Sequence, residues 1–140
     1  MDEHAESPVL LAEDNPDDVL ITQRMWGKAS VSKPLIAVND GEEALKFLRK
    51  QGEYVDAPTP SLLLLDLKMP RIDGFEVLET MKNDDTLKDI PVIVLTSSER
   101  KEDMERANKL GCERYIVKPV NLDGFLKTIE EIKHFLNKHK

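Results

Sequence analysis

Four short apolar runs in this chain each lead straight into side chains that can do chemistry. Residues 8–12 run into Glu13 and Asp14, residues 62–65 into Asp66, residues 91–95 into Thr96, and residues 114–117 into Lys118. An ionised carboxylate is not tolerated inside a dry sheet, so each acid belongs where its run emerges toward water. Three carboxylates brought together repel one another and are driven toward their neutral forms unless a cation joins them. Hard oxygen ligands with little else suit Mg²⁺, which makes Glu13, Asp14 and Asp66 the expected metal-binding acids. A lysine and a hydroxyl nearby suit a visiting anion, here a phosphoryl group held between metal, Lys118 and Thr96. Asp66 is then the nucleophile, because a carboxylate can accept a phosphoryl group as an acyl phosphate. All of this requires that the four run ends meet.

The elements that bring them together can be read from the patterning. Four consecutive leucines, bounded by Pro58, Pro60 and Ser61 on one side and Pro70 on the other, are too short for a helix. They also lack the alternation of a strand with one wet face, so residues 62–65 read as a central strand buried on both faces. Residues 8–12, 35–38, 91–95 and 114–117 read as further short strands. After the first strand, Asn15 is placed to cap a helix with Pro16 at its first position and Asp17 and Asp18 facing its positive end. The helix thus accounts for Asp17 and Asp18, whereas Glu13 and Asp14 precede the cap.

Asp40 with Glu43, and Asp73 with Glu76, have the spacing of capping boxes. Residues 52–61 form a loop of about ten residues. Hydroxyls in the segment Thr96-Ser97-Ser98 are placed to cap a charged helix over about residues 99–110, which Gly111 ends. Apolar residues at helical spacing from Leu122 to Leu136 predict a last helix. Strand and helix alternate five times, which predicts an α/β fold, a five-stranded parallel sheet with helices on both faces. The carboxyl ends of such strands share one edge, where ligands bind in open parallel sheets.

Composition narrows the classes. A chain of 140 residues is long enough for one domain with a substantial core. Its net charge of -7 argues against a generic nucleic-acid binder, because phosphate backbones demand an excess of Lys and Arg. No apolar run is long enough to span a bilayer and no basic-then-apolar start marks export, so no membrane partner is expected. Cys112 is the only cysteine, which rules out an internal disulfide and fits a reducing cytoplasm. Residues 1–7, polar and acidic and including His4, are expected to form a loose tail. A single domain over residues 8–140, with no output domain, is expected to follow it.

The motifs Glu13-Asp14, Leu65-Asp66-Leu67-Lys68-Met69-Pro70 with Asp73-Gly74, Thr96-Ser97 and Lys118-Pro119 occur in this order, each after the expected strand. With them the chain resembles the receiver domain of two-component response regulators from about Pro8 to Leu136. The resemblance implies a (βα)5 flavodoxin-like fold with strand order 2-1-3-4-5, an arrangement long associated with such receivers. It implies that Asp66 is the phosphoacceptor, with Asp14 a direct Mg²⁺ ligand and Glu13 an outer or water-mediated one. The backbone carbonyl of Lys68 completes the protein ligands. It further implies that Thr96 and Lys118 contact the phosphoryl oxygens, that Thr96 and Tyr115 act as the switch pair, and that the Lys118-Pro119 bond is cis. The implied partner is a sensor histidine kinase. Signalling would pass through protein contacts or a phosphorelay rather than through catalysis of the chain's own, beyond slow self-dephosphorylation. Output would use the face of the fourth helix, last strand and last helix, with homodimerisation as one form of it.

A narrower resemblance rests on the segment Phe47-Leu48-Arg49-Lys50-Gln51-Gly52-Glu53-Tyr54 and the loop Pro58-Thr59-Pro60. These are similar to stand-alone regulators that partner phytochrome-type sensor kinases. Other classes share part of the pattern. A haloacid-dehalogenase-type phosphotransferase requires a second Asp two residues after the nucleophile as general acid, and Lys68 stands there. An adaptor that only keeps the fold would be expected to lack an acid, the hydroxyl or the lysine, and none is missing. A nucleotide site in this fold class calls for a glycine-rich first loop, whereas residues 12–16 read Ala-Glu-Asp-Asn-Pro.

Overall fold

The computed structural model describes residues 7–138. The tail expected over residues 1–7, with His4, lies outside the described residues apart from Ser7. Five strands, β1 (Val9–Ala12), β2 (Leu35–Val38), β3 (Leu62–Leu65), β4 (Val92–Thr96) and β5 (Arg114–Val117), form one parallel sheet in the order β2-β1-β3-β4-β5. The run of four leucines is the middle strand, as a strand buried on both faces must be. Val9 pairs with Leu62 and Ala12 with Leu65, and Leu65 pairs in turn with Val94. The strands finish nearly level, so the residues that follow β1, β3, β4 and β5 emerge along one edge.

Between the strands run five α-helices: α1 (Pro16–Lys28), α2 (Gly41–Arg49), α3 (Gly74–Lys82), α4 (Lys101–Lys109) and α5 (Leu122–Lys138). Alternate leucines of β3 feed opposite cores. Leu62 and Leu64 pack with Met25 and Trp26 of α1 and with Ile129 and Ile132 of α5. Leu63 and Leu65 pack with Leu45 and Phe47 of α2, Val77 and Leu78 of α3, and Ala107 of α4. All four leucines of β3 are fully buried, each stabilising the fold by roughly 1.5–3 kcal/mol. The two-sided burial leaves only the ends of this strand for chemistry.

The helix caps form as the spacing predicts. Asn15 accepts from the Asp17 and Asp18 amides, Asp40 from that of Glu43, and Asp73 from that of Glu76. The reciprocal half of the Asp40 box is diverted, because the Glu43 carboxylate instead accepts the Tyr54 hydroxyl at 2.7 Å. Tyr54 belongs to a single 3₁₀ turn (Gly52–Tyr54) inside the loop over residues 52–61, and its ring lies against Phe47.

Gly74 opens α3 where no side chain fits. A Cβ there would stand 2.5 Å from the Asp66 carbonyl oxygen and 2.6 Å from the Leu67 Cα. This close approach clamps α3 onto the segment carrying Asp66.

Two expectations need correction. The charged helix begins at Lys101 rather than near residue 99, and its cap residue Arg100 makes no side-chain cap. The hydroxyl that serves this turn is that of Ser98, which accepts the Arg100 amide at 3.3 Å. No peptide bond among the described residues is cis, so Lys118-Pro119 is trans. The trans form carries the usual X–Pro preference of ~0.5–1 kcal/mol, and the Lys118 side chain reaches the site from it directly.

Candidate functional site

Ligand oxygens of Glu13, Asp14 and Asp66 all lie within 4.8 Å of one another at the carboxyl edge of β1 and β3. Glu13 and Asp66 are buried and Asp14 is exposed, so the cluster has a dry floor and an open side. Hard carboxylate oxygens at this spacing fit an octahedral divalent cation that keeps some of its waters. Lys68 reaches the cluster through its main chain, its amide donating to Asp66 Oδ1 at 3.2 Å, while its side chain is exposed.

Lys118, just beyond β5, projects its ammonium into the same space. Nζ lies 2.5 Å from Glu13 Oε1, 2.7 Å from Asp18 Oδ2 and 3.0 Å from Asp66 Oδ2. An ammonium has three N–H donors, and here each has a carboxylate. Burial disfavours the Lys118 charge, but the bonds to Asp18 and Glu13 and the charge of Asp66 outweigh it and hold the ammonium above its ordinary range. Burial pushes the Glu13 carboxyl up to about 7; the Lys118 hydrogen bond opposes this shift and the Asp66 charge adds to it. With four acids around one lysine, the site is short of positive charge.

Thr96 ends β4 fully buried, and its carbonyl accepts the Lys118 amide at 2.7 Å. The main chain therefore ties hydroxyl and lysine into one edge. Tyr115 stands apart from the cluster. Its hydroxyl donates to the Ser98 carbonyl at 3.0 Å, joining β5 to the loop after Thr96. Ser98 Oγ also donates to Asp103 Oδ2 at 2.5 Å, in the first turn of α4.

Sequence reasoning thus located the acids, hydroxyl and lysine that the edge assembles, and missed two residues. Asp18 was accounted for by the helix end alone, and it stands in the first turn of a helix that starts at the site edge, so the structure and not the spacing shows its contact with Lys118. Ser98 was one of three adjacent hydroxyl candidates, and nothing in the local pattern singles it out.

Residues 9–130 match the response regulator receiver domain family, and the chain belongs to that family. The response regulator Rcp1 of Synechocystis sp. is 39% identical over 127 residues, which cover 91% of this chain and 86% of that protein. The crystal structure of the phosphorylated cyanobacterial phytochrome response regulator RcpA matches with a TM-score of 0.90 at 38% identity, over 96% of this chain and 97% of that one. The Mn²⁺-bound form of Rcp1 matches with a TM-score of 0.86 at 38% identity, over 93% and 94%. The chain is therefore similar in sequence and fold to phytochrome response regulators. Its class is that of phosphoryl-accepting signalling domains, whose partners are histidine kinases. No helix among the described residues is long and apolar enough to cross a membrane.

Proposed function

We propose that Asp66 accepts the phosphoryl group from a phosphohistidine of a sensor histidine kinase, with Mg²⁺ as the cation. The observation that carries this reading is the Lys118 ammonium, in contact with Asp66 and Glu13 at the end of a doubly buried strand. An Asp66 oxygen attacks phosphorus, the P–N bond to the donor imidazole breaks with its electron pair left on nitrogen, and an acyl phosphate forms. Glu13, Asp14, Asp66 and the Lys68 carbonyl would hold Mg²⁺, which would neutralise charge on the phosphoryl oxygens. Lys118 and the Thr96 hydroxyl then meet the new oxygens. Slow hydrolysis by water then breaks the acyl phosphate, releasing inorganic phosphate and the free Asp66 carboxylate.

Likeness to Rcp1 and RcpA supports a phytochrome-type kinase as the partner, and the single cysteine fits a reducing cytoplasm as the place of action. Thr96 and Tyr115 couple the site to the face of α4, β5 and α5, because Tyr115 already bonds the loop that Thr96 opens. Output runs through protein contacts of that face, homodimerisation among them, or through onward relay of the phosphoryl group.

The test is Mg²⁺-dependent labelling with acetyl phosphate, with the modified residue located by mass spectrometry. Label should appear on Asp66 and vanish in Asp66→Asn, whose far-UV spectrum stays that of the wild type. Undiminished labelling of Asp66→Asn overturns the assignment.

A further inference from the structure

We propose that Asp18 is a positioning residue for phosphoryl acceptance, drawing the Lys118 ammonium toward the mouth of the site against the inward pull of Asp66 and Glu13. The inference rests on Asp66 being the acceptor and on Lys118 meeting the phosphoryl oxygens. Asp18 stands in the first turn of α1 with its side chain 24% exposed, whereas those of Glu13 and Asp66 are 3% and 7% exposed. Of the three carboxylates on Lys118, it is the one on the solvent side.

The three bonds pull in different directions. Glu13 and Asp66 draw the ammonium inward, and Asp18 draws it toward the side from which a phosphoryl donor must come. Lys118 also occupies Asp66 Oδ2, an oxygen lone pair that a nucleophile needs free. Without Asp18, three N–H donors remain for two buried carboxylates, so the cation settles more firmly on Oδ2 and leaves the entrance. Asp18 thus loosens the hold of Lys118 on the acceptor oxygen and keeps the cation where the incoming oxygens arrive, an orientation effect of the kind that dominates phosphoryl transfer.

A purely electrostatic role has the opposite sign. A bare carboxylate near the path of an anionic donor would repel it, and removing the charge would speed the reaction. Because the ammonium lies 2.7 Å from Asp18, most of its distant field is cancelled, while its directional bond is not.

Initial rates of phosphorylation by acetyl phosphate at saturating Mg²⁺ separate these effects. Asp18→Asn keeps shape and removes charge, and should react about fivefold more slowly, whereas Asp18→Glu should recover most of the rate. In a Lys118→Ala background, Asp18→Asn should have no further effect, as required of two groups acting through one contact. The Lys118 ammonium ¹H–¹⁵N signal, assigned by its absence in Lys118→Ala, should shift or broaden into solvent exchange in Asp18→Asn. A rate equal to or faster than wild type in Asp18→Asn overturns the proposal. So does an equal slowing with and without Lys118, or an unmoved ammonium signal. If the wild type takes no label on Asp66, the acceptor assignment fails instead, and the ammonium signal still reports the Asp18–Lys118 contact.

Discussion

Glu13 is 2% exposed beside Lys118 and Asp66, and its carboxyl is pushed from 4.5 up to about 7, chiefly by burial. An unfolded glutamate releases its proton near the lower value, so between the two values the folded protein holds a proton that the unfolded chain does not. Stability from this group is full below about 4.5 and is lost as pH rises through about 7. Metal-free protein should therefore melt at a lower temperature at pH 7 than at pH 5, and Glu13→Gln should flatten that difference. Cation binding demands the ionised carboxylate, so Mg²⁺ affinity measured by calorimetry should weaken by up to about tenfold per pH unit below 7. An affinity that is flat from pH 6 to 8 would remove Glu13 from the site. The identities of such residues are legible in the sequence because a polar group at the end of a dry strand has no structural reason to be there. Asp18 was not, because a helix N-terminus supplies a complete reason for an acid, and a second role leaves no mark on the pattern.

Among the helices, α4 is the least anchored, with Ala107 its one buried residue, whereas α5 buries Phe125, Ile129, Ile132 and others. Its start is held by Ser98, whose hydroxyl joins the Arg100 amide to the Asp103 carboxylate. Ser98→Ala removes both bonds and should destabilise the protein by about 1 kcal/mol, read as a lower urea midpoint with an unchanged slope. The Tyr115 bond goes to the Ser98 main-chain carbonyl, so it survives the substitution. Amides of α4 should exchange faster in this variant while those of α5 keep their protection; uniform loss of protection would show that the bonds hold more than α4. The sequence reads as a charged helix at α4, but its boundary was misplaced. Glu99 and Arg100 are ordinary helix formers, and the start at Lys101 goes with the local bridge that the Ser98 hydroxyl makes between the Arg100 amide and the Asp103 carboxylate.

At the scale of the molecule, the α4, β5 and α5 face is the one proposed to carry the signal outward. Its charges are already partly matched within the chain: Arg100 with Glu102, Lys101 with Glu105, and Arg114 with Glu131, while Arg106 lies over the Phe75 ring. Pairing with a second copy would exchange partners rather than create them, and exposed pairs contribute only ~0–1 kcal/mol each. Sedimentation with a beryllofluoride mimic should therefore find a weak dimer that dissociates as salt rises, and a monomer at all salts would eliminate dimerisation as the output. The alternation of strands and helices made the parallel sheet legible, yet the order of its strands came from family resemblance. Leu35–Val38 is as apolar as Val9–Ala12, although only the latter is buried along its whole length. Centre and edge differ in neighbours and not in composition. That order also acts in time. Strand β1 pairs on one side with β2 and on the other with β3, and residues 39–61 separate the end of β2 from the start of β3, about 1–5 s of synthesis at ~5–20 residues per second. Throughout that interval the growing chain carries Val9–Ala12 with one edge unpaired, so this short apolar segment is the part of the nascent protein most in need of shelter as it leaves the ribosome.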